Sequence, residues 1–238
     1  YGKKSLHILL KKLCEIKGIR WIRVLYCYPE EIYDELIETI RDEKKICHYL
    51  DIPIQHASDR ILKRMGRRTS KQELIDIVGK LRKEIPDIVL RTTLITGFPG
   101  ETEEDHEELK EFVDEMEFDR LGVFTYSPEE NTPAAEMADQ IPEEVKEERR
   151  DELMELQQEI AFEKAENMKG RCLPAMVEGK VDGENAYVAR TYKDAPNVDG
   201  LLFINTSKDL MTGDFVNVRI TGSYEYDLIG ELEDEFTE

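Results

Sequence analysis

The segment spanning residues 91–102, RTTLITGFPGET, constrains the fold of this chain more than any other stretch. Apolar and β-branched residues dominate its first half, which suits a strand that is covered on both faces. Gly97, Pro99 and Gly100 then end the strand, because glycine permits positive φ and proline fixes its own. Thr102 follows as a helix N-cap, with Asp105 as its capping-box partner. Ligands bind at this end of a strand in α/β sheets, so the segment predicts a binding site.

Strand-like and helix-like patterns alternate from the start of the chain to residue 126. The strand patterns lie at 21–28, 46–54, 88–96 and 120–126, and the helix patterns lie at 5–17, 30–42, 58–65, 70–85 and 103–116. Repeated strand–helix units predict a parallel sheet. Crossovers of this length and number favour a TIM-like (β/α) barrel or part of one.

The pattern changes after residue 126. A loop rich in proline and acidic residues at 127–140 precedes a helix that Pro142 opens and Gly170 stops. Five short strand patterns follow, at 172–178, 186–192, 201–205, 215–221 and 226–232, and predict a small OB-like barrel. The predicted divisions are therefore a partial barrel at 1–140, a linking helix at 141–170 and a second domain at 171–238. The acidic end after the last strand is expected to fray.

Charge and cysteine content exclude several classes of protein. The net charge is −20, from 33 Lys+Arg against 53 Asp+Glu, which argues against non-specific RNA binding and fits a basic protein partner. The four cysteines match no metal, cluster or disulfide spacing, and they predict buried thiols in a reducing cytoplasm. No run approaches the roughly 20 apolar residues that cross a bilayer. The chain starts with Tyr and not Met, as a fragment or a processed chain would.

Several separated motifs identify a family. They are PIQHAS at 53–58 with ILKRM at 61–65, the turn at 97–102, FTYSPEE at 124–130 and DAPNVDG at 194–200. These motifs occur in the same order in radical-SAM methylthiotransferases, which the chain resembles from end to end. It is most similar to those that modify an aspartate of a ribosomal protein. Relatives that modify tRNA typically have Pro-Val-Gln-Ser-Gly-Ser at the first motif. The acidic segment 171–238, with 6 Lys+Arg against 14 Asp+Glu, also suits a basic protein better than a phosphate backbone.

The resemblance implies an incomplete radical-SAM barrel followed by a TRAM domain. The implied reaction adds a methylthio group to the β-carbon of an aspartate in the small-subunit ribosomal protein twelve, with S-adenosylmethionine (SAM) and two 4Fe–4S clusters as cofactors. The Cys-x-x-x-Cys-x-x-Cys loop that holds the SAM-binding cluster does not occur in the 238 residues. The chain is therefore expected to hold no metal ligands, to be the C-terminal portion of such an enzyme and to be inactive alone.

The resemblance and the strand positions together give six candidate cofactor-binding residues, and no catalytic residue is assigned. The candidates are Gln55, Arg91, Thr93, Ile95, Gly97 and Tyr126. Arg91 could contact the SAM carboxylate or pair with a structural acid, because a strand arginine needs a partner. Tyr126 could cover the adenine or belong to the core.

Other residues near these motifs have competing interpretations. Ser58 could contact a ligand or cap its helix, and His56 could donate a proton or be structural. The basic positions 63–64 and 67–68 are expected to complement the helix dipole or the surface. Asn131 stands where the family usually has Gly, and a turn there is expected to survive because Asn tolerates positive φ. His106 replaces a more usual aromatic residue and is expected to affect packing alone.

Two alternative functions remain open from the sequence. The first is a tRNA methylthiotransferase, whose mark would be tight, salt-sensitive tRNA binding by residues 171–238. The second is a non-catalytic module that uses the TRAM barrel as an adaptor.

Overall fold

The computed structural model describes residues 2–234, and the chain divides into two compact units between residues 160 and 161. The domain bounds predicted from the sequence, 1–140, 141–170 and 171–238, stay predictions. The acidic end expected to fray beyond the last strand was 231–238, and residues 235–238 of it lie outside the described residues. No helix in residues 2–234 is long and apolar enough to cross a membrane.

The first unit contains a four-stranded parallel sheet, as the alternating patterns predicted. Its strands are β1 (Ile22–Val24), β2 (Ile46–Asp51), β3 (Val89–Thr96) and β4 (Arg120–Thr125), and they lie side by side in chain order. The helices are α1 (Leu6–Cys14), α2 (Asp34–Asp42), α3 (Asp59–Arg64), α4 (Lys71–Glu84) and α5 (Glu103–Met116), with a 3-10 turn at Pro29–Glu31. Helix α6 (Glu143–Glu166) begins in this unit and crosses the division.

Several elements of the first unit are shorter than their sequence patterns, including the strand predicted over 21–28 and the helix predicted over 30–42. A strand was predicted over 21–28, but β1 ends at Val24 and Tyr26 has a φ of 56°. This left-handed backbone interrupts the ladder, although the Cys27 N–H still donates to the Asp51 carbonyl at 2.8 Å. The helix predicted over 30–42 is split, because the 3-10 turn ends before α2 begins.

The two faces of β3 have different surroundings. Leu90 and Leu94 pack into the main apolar core with the helices, and side chains facing the same way are fully buried. Arg91, Thr93 and Ile95 alternate with them and are only half-buried. The prediction that β3 is covered on both faces therefore holds for one face and only in part for the other. On the partly covered face, Ile95 packs against Ile61, Phe98 and Tyr126.

The second unit contains a closed five-stranded barrel, as the sequence predicted. Its strands are β5 (Cys172–Lys180), β6 (Ala186–Thr191), β7 (Leu202–Asn205), β8 (Phe215–Tyr224) and β9 (Asp227–Leu232), joined in the order β5-β6-β7-β9-β8. The barrel core includes Val177, Ala189 and Ile204, each fully buried. Gly170 has a φ of 84°, as a glycine helix stop requires, and its N–H donates to the Ile220 carbonyl at 2.8 Å.

Candidate functional site

The turn after β3 wraps around a buried carboxylate. Gly97 and Gly100 have φ values of 70° and 81°, so both predicted glycine positions use the left-handed conformation. Glu101 is only 3% exposed. Its Oε2 accepts the N–H of Gly97 at 2.8 Å and the N–H of Phe98 at 3.3 Å. The carboxylate therefore fixes the backbone of the turn from inside.

Glu101 is also the centre of a buried polar network. Its Oε1 accepts hydrogen bonds from Thr96 Oγ1 at 3.3 Å and from Arg149 Nη1 at 3.0 Å. His56 Nε2 lies 3.5 Å from its Oε2. Burial raises the pKa of Glu101, but the contacts with His56, Arg149 and the Gly97 N–H outweigh it and hold the pKa below its ordinary value. The sequence analysis did not predict roles for Glu101 and Arg149. The position of Glu101 directly after the Pro-Gly pair was a signal for the first residue, and the sequence offered none for the second.

The helix after the turn begins with the predicted capping box. Asp105 Oδ2 accepts the Thr102 N–H at 2.8 Å, and the Thr102 hydroxyl accepts the Asp105 N–H at 3.4 Å. Asp105 also accepts a hydrogen bond from the Ser58 hydroxyl at 2.7 Å and pairs with Arg60. Ser58 occupies the N-cap position of α3, but its side chain makes no cap bond there, so the predicted capping role is wrong. Its hydroxyl instead joins the start of α3 to the start of α5.

Gln55 is held in a strained conformation beside the end of β3. Its φ is 72°, although it is not glycine, and such backbones cost about 1–3 kcal/mol. Two hydrogen bonds fix it to β3: the Gln55 N–H donates to the Thr93 carbonyl at 2.9 Å, and the Ile95 N–H donates to the Gln55 carbonyl at 2.8 Å. The side-chain Oε1 is buried and has no hydrogen-bond partner among residues 2–234. A buried amide oxygen in this state is suited to accept a hydrogen bond from a ligand.

Tyr126 lies on the other side of β3. Its N–H donates to the Thr96 carbonyl at 2.9 Å, and its ring packs edge-to-face against Phe98 with 5.1 Å between centroids. Tyr126, Phe98 and Ile61 form a small apolar cluster against which Ile95 packs. The Tyr126 hydroxyl is buried and, within the described part of the chain, lacks a hydrogen-bond partner. The Tyr126 ring thus belongs to the apolar cluster, while its hydroxyl could hydrogen-bond to a ligand.

Arg91 and Thr93 share the half-buried face of β3 with Ile95. Arg91 Nη1 lies 2.8 Å from Asp51 Oδ2, and the two residues are register partners on β3 and β2. The structural acid that the sequence left open as a partner is therefore present. Thr93 lies one step nearer the turn, between the levels of Arg91 and Ile95. The structure brings Gln55, Thr93, Ile95, Gly97 and Tyr126 together at the carboxyl end of β3, whereas Arg91 lies farther back along the strand.

Comparisons with known proteins decide the family. A profile described as the Radical SAM superfamily matches residues 3–113, and one described as a TRAM domain matches residues 170–232. A protein of Lachnoclostridium phytofermentans named ribosomal protein uS12 methylthiotransferase RimO is 66% identical over 233 residues, which are 98% of this chain and 53% of that protein. The chain belongs to the uS12 methylthiotransferase family.

A second family member, from Desulfitobacterium hafniense, carries the same name and is 48% identical over 98% of this chain and 52% of its own length. The chain spans about half the length of the curated methylthiotransferases it matches. Among solved structures, coproporphyrinogen III oxidase HemN from Escherichia coli, described as a radical SAM enzyme, superimposes with a TM-score of 0.55 at 16% identity. That match covers 80% of this chain and 50% of HemN, and it shows a shared fold.

Lys63 and Arg64 lie in the last turn of α3, where the predicted dipole role applies, and Lys63 and Arg68 are exposed as predicted, but Arg64 and Arg67 also make contacts that the sequence did not predict. Arg64 Nε donates to the Pro99 carbonyl at 2.9 Å, and its Nη2 lies 2.8 Å from Asp139 Oδ1. Arg67 donates to the Pro53 carbonyl and lies 5.0 Å from the ring centroid of Tyr28. Both guanidinium groups therefore tie loop carbonyls to the end of α3.

Three further positions of this family member have defined roles. His56 is fully buried and its Nδ1 accepts the Ser58 N–H at 3.0 Å, which is the structural alternative. Asn131 has a φ of 64°, so the expected turn survives the loss of glycine. His106 was expected to affect packing alone, but its Nε2 also lies 3.1 Å from Glu152 Oε2.

The described residues do not fit an iron–sulfur cluster. Across residues 2–234, no group of three or more His, Cys, Asp or Glu side chains is arranged to hold a metal ion. The four cysteines are free thiols; Cys27 and Cys47 are buried as predicted, whereas Cys14 and Cys172 are only half-buried. Burial raises the pKa of Cys27 to about 11, so this thiol is protonated at neutral pH.

Proposed function

We propose that this chain supplies SAM-binding and substrate-binding parts of a ribosomal protein uS12 methylthiotransferase. The parent enzyme adds a methylthio group to the β-carbon of an aspartate in uS12. The observation that carries the SAM site is the pair of buried, unpartnered polar atoms, Gln55 Oε1 and Tyr126 Oη, on either side of the end of β3. Each is costly unless a ligand satisfies it, because a buried polar group without a hydrogen bond costs about 1–3 kcal/mol.

The residues at the end of β3 fit SAM. Ile95 and the Gly97 backbone offer an apolar edge and a tight turn against which the adenine can pack. Gln55 Oε1 accepts a hydrogen bond from an N–H of the ligand, and Thr93 offers a hydroxyl on the same half-buried face. The Tyr126 ring closes the apolar side. When bound, SAM would supply the methyl group. Cleavage of SAM would also supply the adenosyl fragment that activates the substrate C–H bond.

Arg91 is the sixth proposed cofactor contact and acts differently from the others. Its pairing with Asp51 orients the guanidinium on the half-buried face of β3. A guanidinium presents five donors in a planar fork, a geometry suited to binding carboxylates such as that of SAM. Arg91 therefore serves the ligand from its place in the sheet.

A titration of the 238-residue chain with S-adenosylhomocysteine tests the SAM site. We expect calorimetry to detect binding by the unmodified chain. Gln55→Leu is expected to weaken it at least about tenfold, because the substitution keeps the side-chain bulk and removes the acceptor. Gln72→Leu is the matched control, since Gln72 is exposed on α4 and contacts Asp76. Absence of binding by the unmodified chain, or equal affinity of both variants, would contradict the site.

The acidic barrel supports a basic protein as substrate. Residues 171–238 carry 6 Lys+Arg against 14 Asp+Glu, a net charge of −8. This negative charge repels the phosphate backbone of tRNA, whereas it attracts a basic ribosomal protein. We place the reaction in the cytoplasm, where newly made ribosomal proteins are available.

Parallel binding measurements separate the two substrate classes. We expect the chain to bind purified uS12 with an affinity that falls as salt rises, and to bind tRNA far more weakly. Tighter, salt-sensitive binding of tRNA would favour the tRNA methylthiotransferase.

In a separate assay with SAM and a reductant, we expect no 5′-deoxyadenosine from the chain alone. Its detection would refute the proposal that the chain is inactive without the cluster-binding residues.

A further inference from the structure

Helix α6 places two cations in the interior of the first unit. Lys146 and Arg149 are 5% and 7% exposed, and they share a helix face with Leu153, which is fully buried. Lys146 lies in the first turns of α6, where the positive end of the helix dipole disfavours a cation. Burial costs both charges further. Burying Lys146 and Arg149 therefore does not stabilise α6 itself. The contacts of the two side chains explain why they are buried.

Lys146 contacts the ends of two strands at once. Its Nζ donates to the Tyr126 carbonyl at 2.8 Å and to Glu143 at 3.0 Å. Its aliphatic stem lies on the Gly97 backbone, where an added Cβ would be 2.2 Å from Lys146 Cγ. One side chain thus fixes the backbone of Tyr126 after β4 and covers the turn after β3.

Arg149 acts on the same turn through Glu101. Its Nη1 donates to the Glu101 side chain at 3.0 Å and to the Glu101 carbonyl at 3.3 Å, and its Nη2 lies 3.1 Å from Glu103. Glu101 in turn accepts the Gly97 N–H. The guanidinium neutralises the buried carboxylate and fixes its orientation, so the N–H groups of the turn have a stationary acceptor.

We propose that Lys146 and Arg149 are positioning residues that hold the backbone of the SAM-binding turn and of Tyr126 in the geometry that receives the ligand. Naming that ligand as SAM rests on the proposed function; the positioning itself rests on the contacts of α6 alone. The two residues act through Glu101 and through backbone atoms, and they need not touch the ligand.

Hydrogen exchange and ligand affinity test the proposal together. Arg149→Lys keeps the charge but cannot reproduce the two-sided contact with Glu101 and Glu103. We expect amide exchange in residues 92–102 and S-adenosylhomocysteine dissociation each to increase about tenfold. Arg150→Lys is the matched control, because Arg150 is more exposed and its ion pair is with its neighbour Asp151. The control is expected to match the unmodified chain in both measurements.

Lys146→Met provides a second variant that keeps the aliphatic stem over Gly97 and removes the amine. We expect the same two changes, with faster exchange extending to residues 124–127. A variant that lowers the unfolding temperature but leaves exchange and affinity unchanged would show a merely structural role and overturn the proposal. If the unmodified chain fails to bind S-adenosylhomocysteine, the SAM site is wrong, and exchange at the turn alone decides whether α6 positions it.

Discussion

The imidazole of His56 faces the carboxylate of Glu101, with 3.5 Å between Nε2 and Oε2 and both side chains fully buried. His56 Nδ1 accepts the Ser58 N–H at 3.0 Å, which fixes the ring with Nε2 directed toward Glu101. This contact joins the segment that contains Gln55 to the turn that contains Gly97. The two halves of the candidate site are therefore coupled through one buried polar pair.

The Glu101 carboxylate makes stability depend on pH in a defined direction. Because its pKa is lower in the folded chain than in the unfolded chain, its stabilisation is fully present above the unfolded value and is lost as pH falls through the folded value. Glu101→Gln is expected to cost about 3–5 kcal/mol at neutral pH, since it leaves Arg149 buried without its counter-charge. Denaturant unfolding across the acid range should also show a shallower decline for this variant. Glu115→Gln, on the exposed face of α5, should retain the pH dependence of the unmodified chain.

The close approach of Gly97 to Lys146 predicts a cost for any side chain at residue 97. Gly97→Ala places a methyl group 2.2 Å from Lys146 Cγ and forces alanine into a φ of 70°. We expect a loss of about 1–3 kcal/mol in the free energy of unfolding, measured with urea. Gly79→Ala is the opposite case, since Gly79 is inside α4 with open space around it, and should stabilise by up to about 1 kcal/mol. Equal effects of the two substitutions would contradict the packing.

The hydrogen bond from Ser58 to Asp105 predicts a specific loss on removal of the hydroxyl. Burial raises the pKa of Asp105, but the bonds from Arg60, Ser58 and Thr102 hold it far below its usual value, so the acceptor is charged. Ser58→Ala should cost about 1.5–3 kcal/mol, as expected for a bond to a charged group. Thermal unfolding of Ser127→Ala, in an exposed loop, should match that of the unmodified chain. A Ser58→Ala protein as stable as this control would disprove the link between α3 and α5.

The barrel of the second unit has a position at which only glycine fits. A Cβ on Gly230 of β9 would lie 2.5 Å from Val218 Cγ1 and 2.7 Å from the Arg219 carbonyl. Gly230→Ala should therefore destabilise the barrel by about 1–3 kcal/mol, detectable as faster hydrogen exchange in residues 172–232. Gly222 of β8 has open space at its Cβ position, and Gly222→Ala should leave exchange nearly unchanged. The site in the first unit should be unaffected by either change.

The periodicity of the sequence predicted the elements well because each pattern reports burial within its own segment. Helix α5 was predicted over 103–116 and has those bounds, since Thr102 and Asp105 cap it locally. The strands of the barrel were placed within a few residues. The prediction failed at 21–28, where the left-handed backbone of Tyr26 ends β1 and no residue type announces it.

The candidate site was predicted in part, for a comparable reason. The glycine turn and the alternation along β3 located Gly97, Thr93 and Ile95, because strand direction and glycine φ are local properties. The hydrogen bonds from Arg64 and Arg67 to loop carbonyls were not predicted, since those carbonyls lie 35 and 14 residues away along the chain. The helix predicted over 141–170 carried no sign that Lys146 and Arg149 are buried, because charged residues normally lie on the solvated face.

The sequence by itself determined the order of strands and helices, the turn after β3 and the membership of the chain in its family. These depend on hydrophobic period, on glycine and capping residues, and on motifs that are contiguous in the chain. Tertiary structure alone decided that Glu101 is ionised in the interior and that Lys146 and Arg149 leave the surface to hold the turn. A buried charge is stable only beside its counter-charge and hydrogen-bond partners, and the fold brings Arg149 to Glu101 although 48 positions separate them in the chain.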